Sequence, residues 1–263
     1  MKGRVLIIAG SDPSGGAGIQ ADIKTVTALG SYAATAISAI TVQNTRGVSA
    51  VHTVAPDVIA AQIEAVMGDI GADAIKIGMI SDVETAQIIE DALKRYSGIP
   101  VVLDPVLVAT SGDALACGGV ADFIRSRLIT GAALITPNSD EAGALTNIAI
   151  KDRDAMVAAG RALVEAGAGA GLVKGGHQKG DVIEDVLIQP DGEHIYSNVR
   201  IDTTSTHGTG CTLASAIATG LAQGMALSAA VERAIGYVRK AIETAPGYGG
   251  GHGPLNHAHT VRS

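Results

Sequence analysis

The chain has 263 residues, 47% hydrophobic and 17% charged, with a net charge of -7 and no basic block. That length suits one large α/β domain or two small ones, and the lack of clustered Lys and Arg argues against nucleic acid and acidic membranes as partners. Two cysteines, Cys117 and Cys211, have neither metal-type nor disulfide-type spacing, as expected of a reduced, cytoplasmic protein. No apolar run is long enough to span a bilayer, and the first, Val5 to Ala9, is too short for a signal segment. With five Tyr, one Phe and no Trp, the core must be built from Ala, Val, Ile and Leu.

Val5 to Ala9 reads as a buried parallel strand. It opens into the loop Gly10-Ser-Asp-Pro-Ser-Gly-Gly-Ala-Gly18 and a helix from about Ile19 to Leu29. Strand, glycine loop and helix in that order mark the usual ligand edge of an α/β sheet. The loop is neither a P-loop nor a dinucleotide fingerprint. A second strand, Ala34 to Val42, leads to the polar segment Gln43-Asn44-Thr45-Arg46-Gly47, read as a loop able to act as a lid. Pro56 to Met67 reads as an amphipathic helix. Strand Ala74 to Ile77, helix Asp82 to Tyr96 and strand Pro100 to Leu103 follow, the last ending at Asp104, where active-site carboxylates gather. A loop at Thr110-Ser-Gly-Asp113 precedes a helix over Ala121 to Leu128.

Strand Ala132 to Ile135 runs into Thr136-Pro-Asn-Ser-Asp-Glu141. Asn138 fits an N-cap and Glu141 its capping-box partner; the same spacing lets both face a metal-bound phosphate. A helix over Asp152 to Ala166 and a strand over Ala170 to Val173 end in Lys174-Gly-Gly-His177. A lysine at such a place is most often a solvated surface charge, yet it can also neutralise a phosphate. Asp181 to Ile188 and His194 to Val199, around Pro190-Asp-Gly192, read as an antiparallel edge hairpin. Helices over Thr212 to Gln223 and Leu227 to Ala245 follow. The tail from about Pro246 is glycine-rich and expected to be loose, and its His252, His257 and His259 are too loosely spaced to suggest a metal site. One layered domain accounts for 1–263, with a mostly parallel sheet between helices and an antiparallel edge.

The segment Asp202-Thr-Thr-Ser-Thr-His-Gly-Thr-Gly-Cys-Thr212 joins glycines to an alanine-rich helix. Gly208, Thr209 and Gly210 should therefore sit at a helix N-terminus with free N–H groups, a place that attracts phosphate. The helix dipole there should lower the Cys211 thiol pKa. The plainer reading is a helix cap followed by a buried cysteine. Asp12 to Asp22, Gln43 and Asn44, Asp104, Asn138 and Glu141 with Lys174, and Gly208 to Cys211 all fall at strand ends or loops. Phosphoryl transfer needs such a set: donors for phosphate, carboxylates for Mg²⁺ and a base near the acceptor hydroxyl. Glu141 and Asp104 would suffice for Mg²⁺, in part through water. A cysteine hydrolase using Cys211 and His207 lacks an evident orienting partner, and a small-molecule sensor using the same anion turn ranks last.

These stretches, with Val42-Gln-Asn-Thr-Arg-Gly47, Lys76-Ile-Gly-Met79, Leu103-Asp-Pro-Val106, Ile135-Thr-Pro-Asn138 and Gly251-His-Gly-Pro-Leu-Asn-His257, resemble the bacterial hydroxymethylpyrimidine/phosphomethylpyrimidine kinases of thiamin biosynthesis, members of the ribokinase-like superfamily. The resemblance runs nearly the full length. It implies a ribokinase-like three-layer α/β fold and ATP-dependent phosphorylation of 4-amino-5-hydroxymethyl-2-methylpyrimidine, then of its monophosphate. It implies a substrate pocket of Gly10, Ala17, Asp22, Gln43, Met79 and Val106, with Asp22 and Gln43 hydrogen-bonding the aminopyrimidine. Gly208, Thr209 and Gly210 would form the anion hole and Cys211 the base, where sugar kinases place an aspartate. Asp104, Asn138 and Glu141 would serve Mg²⁺ and phosphates, Lys174 and Thr209 the nucleotide. Homodimers are common in the family, and pyridoxal phosphorylation by the same fold is the alternative activity. The chain departs from the family at Thr110 and Thr204, where lysines are frequent, which puts the second phosphorylation in question.

Overall fold

The first strand, β1 (Arg4–Ser11), is buried on both faces, which is why it reads as an unbroken apolar run. Its side chains alternate. Leu6 and Ile8 join one core with Ile59 and Ile63 of α2 (Pro56–Met67) and Ile89 of α3 (Val83–Arg95). Val5, Ile7 and Ala9 join another with Ile19 and Val26 of α1 (Gly18–Ala28), Ile217 of α7 (Thr209–Ala222) and Val231 of α8 (Leu227–Glu243). These two cores on opposite faces of one sheet make the three layers. The computed structural model describes residues 1–109, 112–113, 115, 118–176 and 180–261. Thr110, Cys117 and His177, singled out above, lie outside the described residues.

The remaining strands are β2 (Tyr32–Asn44), β3 (Gly47–Thr53), β4 (Ala74–Ile77), β5 (Val101–Leu103), β6 (Leu134–Ile135), β7 (Gly171–Val173), β8 (Val182–Gln189) and β9 (Gly192–Val199). Among the described residues they form one nine-stranded sheet in the order β3-β2-β1-β4-β5-β6-β7-β8-β9. The stretch from β2 to β7 is parallel, with Ile8 opposite Ile77, Ile77 opposite Leu103 and Leu103 opposite Ile135. β8 and β9 form the expected antiparallel edge. The chain builds outward from β1 in both directions, first to β2 and then to β4. The C-terminal ends of β1 and β4 therefore face a crevice, the usual ligand position in such sheets.

Helix starts follow local chemistry. Asp82 accepts from the Thr85 N–H at 2.7 Å to cap α3, and Asp152 from the Ala155 N–H at 2.9 Å to cap α6 (Arg153–Glu165). α7 is apolar nearly all round and sits in the core. Its alanines let α8 and α1 pack closely, and burying a side chain the size of Ile217 contributes roughly 1.5–3 kcal/mol.

Three expectations need correction. The segment from Gln43 to Gly47 is not a free loop: Gln43 and Asn44 end β2, which turns into β3 and pairs with it antiparallel, so both sheet edges carry antiparallel strands. The helix expected over 121–128 is α4 (Val120–Phe123), continuing as a wider π-type turn over Ile124–Leu128. The tail is docked rather than loose. Leu255 and His257 are buried, Tyr237 Oη donates to the His257 carbonyl at 2.7 Å, and the His257 ring meets Thr212 Oγ1 at 2.9 Å. Burial pushes the His257 imidazole down to about 4, so it is a neutral packing residue at physiological pH. The helix between β6 and α6 is α5 (Ser139–Thr146).

Candidate active site

The C-terminal ends of β1, β4, β5, β6 and β7 open with the start of α7 onto a cavity of about 720 Å³. That volume falls in the usual range for small-molecule sites. Gly10 and Ala17 come from the β1 loop, Gln43 from β2, Met79 from the end of β4 and Val106 from the turn after β5, and all five line the cavity. Thr41 Oγ1 lies 3.1 Å from Gln43 Oε1 and orients that amide.

Asp22, expected to hydrogen-bond a ligand, is fully buried and is not part of the cavity lining. β4 explains why. Ile75 and Ile77 face the α2–α3 layer, so Lys76 points the other way, toward α1 and α7. There Lys76 Nζ meets Asp22 Oδ2 at 2.9 Å with both side chains fully buried, and Ser215 Oγ donates to Asp22 Oδ1 at 2.6 Å. Burial works against the Lys76 charge, but Asp22, Cys211 and Asp104 outweigh it and hold the ammonium protonated. Lys76 itself reaches the cavity wall.

Gly208 caps the start of α7 with a φ of 82°, and a Cβ there would overlap the Gly16 carbonyl oxygen. Only glycine fits both the backbone and the space. Gly208, Thr209 and Gly210 line the cavity at this helix start, where backbone N–H groups lack intrahelical partners. Cys211 is a half-buried free thiol. Its pKa is pushed up to about 11, not lowered by the helix dipole as the sequence suggests. Burial raises it most, Lys76 opposes, and Asp22 and Asp104 add to the rise.

Below the α7 start lies a second group of charges. Lys174 Nζ is 2.9 Å from Asp104 Oδ1, and Thr136 Oγ1 donates to the same oxygen at 3.1 Å. Lys174 is thus a paired, nearly buried cation rather than a solvated one. Asp104 Oδ2 is buried and has no hydrogen-bond partner among the described residues. A Cβ on Gly210 would lie 3.2 Å from Lys174 Nζ and 3.5 Å from Asp104 Oδ2, so the helix start sits on this pair. Asn138 and Glu141 make the full capping box of α5: Asn138 Oδ1 accepts from the Glu141 N–H at 2.9 Å, and Glu141 Oε2 from the Asn138 N–H at 2.8 Å.

Burial pushes the Glu141 carboxyl up to about 7, with Lys174 opposing and Asp104 reinforcing the rise. The folded protein therefore binds this proton more tightly than the unfolded chain. Glu141's contribution to stability is fully present below pH ~4.5 and is lost as pH rises through about 7. Glu141→Gln, which keeps an acceptor for Asn138, should stabilise the metal-free protein on the order of 2 kcal/mol at pH 8 and leave it unchanged at pH 4. Urea unfolding at the two pH values measures this, and equal gains at both would mean that Glu141 does not titrate in this way.

Two residues outside the expected substrate, nucleotide and metal sets, Asp12 and His207, meet here. Asp12 Oδ2 accepts from His207 Nε2 at 2.8 Å and from the Ala17 N–H at 2.8 Å, and the Asp12 and His207 side chains are both buried and line the cavity. Burial raises the Asp12 carboxyl, but hydrogen bonds from His207, Ala17 and Ser14 prevail and hold it below the ordinary range.

The model of the phosphomethylpyrimidine kinase family matches residues 12–256. The chain belongs to the phosphomethylpyrimidine kinase family. Within and around that family, it is 47% identical to a hydroxymethylpyrimidine/phosphomethylpyrimidine kinase of Rhizobium meliloti, over 97% of this chain and 96% of that one. It is also 47% identical to a bifunctional thiamine biosynthesis protein of Geobacter sulfurreducens, covering 97% of this chain and 52% of that protein, about half its length. An ADP complex of Bacillus subtilis pyridoxal kinase superposes with a TM-score of 0.90 at 32% identity, over 98% of both chains. The three-layer fold is that of the ribokinase-like kinases. Among the described residues no helix is long and apolar enough to cross a membrane.

Proposed function

We propose that this phosphomethylpyrimidine kinase family member transfers the γ-phosphoryl group of ATP to the hydroxymethyl oxygen of 4-amino-5-hydroxymethyl-2-methylpyrimidine, and then phosphorylates the monophosphate. The observation that carries this reading is the single cavity wall joining Gln43 and Met79 to Gly208, Gly210 and Cys211. It supports a hydrogen-bonding acceptor subsite beside an anion-binding helix start. The greater identity to the Rhizobium pyrimidine kinase than to the pyridoxal kinase favours the pyrimidine over pyridoxal.

Gly10, Ala17, Met79 and Val106 would bracket the ring and Gln43 would hydrogen-bond its amino face. Asp22 would act at one remove, by fixing Lys76. The N–H groups from Gly208 to Gly210 would hold the transferring phosphoryl oxygens, and Lys174, with Asn138 and Thr209, would serve the nucleotide phosphates. In the transfer, the hydroxymethyl oxygen bonds to the γ-phosphorus, the bond to the β-phosphate bridging oxygen breaks, and the hydroxyl proton passes to the thiolate form of Cys211. Asp104 Oδ2, buried and without a hydrogen-bond partner among the described residues, and the buried Glu141 carboxyl, whose pKa Asp104 helps to raise, fit a divalent cation. Mg²⁺ would be held by Asp104 and Glu141, in part through water, and would neutralise phosphate charge. A homodimer is proposed through the exposed apolar Tyr32, Ile40 and Val42 of β2, and a cytoplasmic location on the free Cys211 thiol.

Gln43→Ala tests the acceptor subsite. It should raise KM for the pyrimidine about tenfold, the loss of about one hydrogen bond at a buried partner, and leave KM for ATP nearly unchanged. A rise in KM for ATP alone would move Gln43 to the nucleotide side.

A further inference from the structure

The acceptor loop and the anion turn are far apart in sequence, and a buried side-chain pair, Asp12 with His207, links them, with Ser14 Oγ 3.5 Å from the same His207 Nε2. Asp12 Oδ1 accepts from the Ser14 N–H, and Oδ2 from Ser14 Oγ, the Gly16 and Ala17 N–H groups and His207 Nε2. One carboxylate therefore sets the shape of the loop around Ala17 and ties it to the residue before Gly208. The backbones meet directly as well. A Cβ on Gly16 would collide with the His207 ring, and one on Gly208 with the Gly16 carbonyl. His207 is held from its other side by the tail: its N–H donates to the Gly253 carbonyl at 3.1 Å, and the His252 N–H donates to the Thr45 carbonyl at 2.7 Å, two residues beyond Gln43. Any shift of the anion turn must move the acceptor loop, and the reverse.

From this geometry we propose that His207, through Asp12, is a positioning residue that couples occupancy of the acceptor subsite to occupancy of the phosphate site. It rests on the two-subsite reading above. A filled acceptor subsite orders the 12–18 loop, and the Asp12–His207 contact passes that order to Gly208, where the phosphoryl group is received. Coupling of this kind is reciprocal: each ligand tightens the other by the same factor. It matters because transfer needs the reacting atoms within about 3–3.5 Å, and a misplacement of about 1 Å costs on the order of 10²-fold in rate.

The test is calorimetric titration with a non-hydrolysable ATP analogue and Mg²⁺, with and without saturating pyrimidine alcohol, repeated with pyridoxal as the alternative acceptor. The intact protein should bind the analogue at least fivefold more tightly with acceptor present. His207→Ala should keep each single-ligand affinity within about threefold, abolish the coupling, and lower kcat by about 10²-fold. His207→Gln, whose amide nitrogen can reach the Asp12 carboxylate, should restore a large part of both. Gly16→Ala, which displaces the ring without removing it, should also lose the coupling and covers the case of a poorly folded His207→Ala. Coupling retained in His207→Ala or in Gly16→Ala overturns the inference, as does its absence from the intact protein with both acceptors. Coupling with pyridoxal and no binding of the pyrimidine would support the inference while refuting the substrate reading.

Discussion

Cys211→Ala should lower kcat by about 10²-fold, the usual share of a general base, with little change in KM for the pyrimidine. The expected pH dependence is the sharper part. With its pKa pushed up to about 11, the thiol of the ligand-free protein is protonated at neutral pH. If its thiolate takes the substrate proton, kcat should rise with pH from 7 to 10, close to tenfold per unit where proton transfer limits the rate. Cys211→Ala should show a low, flat profile. Cys211→Asp, carrying the carboxylate that sugar kinases use at this place, should keep activity and flatten the profile above pH 7. A near-normal kcat in Cys211→Ala would reduce the cysteine to a packing residue, because in a loose transition state the hydroxyl can lose its proton late.

The second large effect concerns folding. Lys76→Met leaves the fully buried Asp22 without its cation, held by Ser215 alone. Breaking a buried pair from one side costs about 3–5 kcal/mol, because an uncompensated charge stays inside. Removing both charges in Lys76→Met/Asp22→Asn should recover most of that loss, since a neutral amide can still accept from Ser215. Urea midpoints of the single and double variants decide it. A single variant as stable as the parent would mean that the pair carries no buried charge.

Much of the fold was legible because its inner strands are short apolar runs buried on both faces, each closed by a polar strand end. Gly10, Asp104, Asn138 and Lys174 could be located on that basis, since chemistry in such sheets gathers where strands end, and Gly208 by the glycines that precede an alanine-rich helix. What was not legible depends on tertiary burial. Lys76 lies inside a recognisable stretch, yet only β4's alternation against α1 and α7 reveals that it pairs with Asp22. That same burial reverses the Cys211 shift: the local helix start argues for a lowered pKa, and the desolvation that prevails over it comes from distant segments. β3 is not legible because Gly47 to Thr53 mixes polar and apolar residues on a half-exposed edge. The tail's glycines suggest freedom, whereas Gly251 and Gly253 allow close approach to Thr45 and Ser205.

The most direct measurement is a steady-state comparison of ATP-dependent phosphorylation of three acceptors: the pyrimidine alcohol, its monophosphate and pyridoxal. The account predicts a kcat/KM for the pyrimidine alcohol at least about tenfold above that for pyridoxal, as expected when a site built for one set of hydrogen bonds meets another, and formation of the diphosphate from the monophosphate. A preference for pyridoxal, or no ADP release with either pyrimidine, would contradict it.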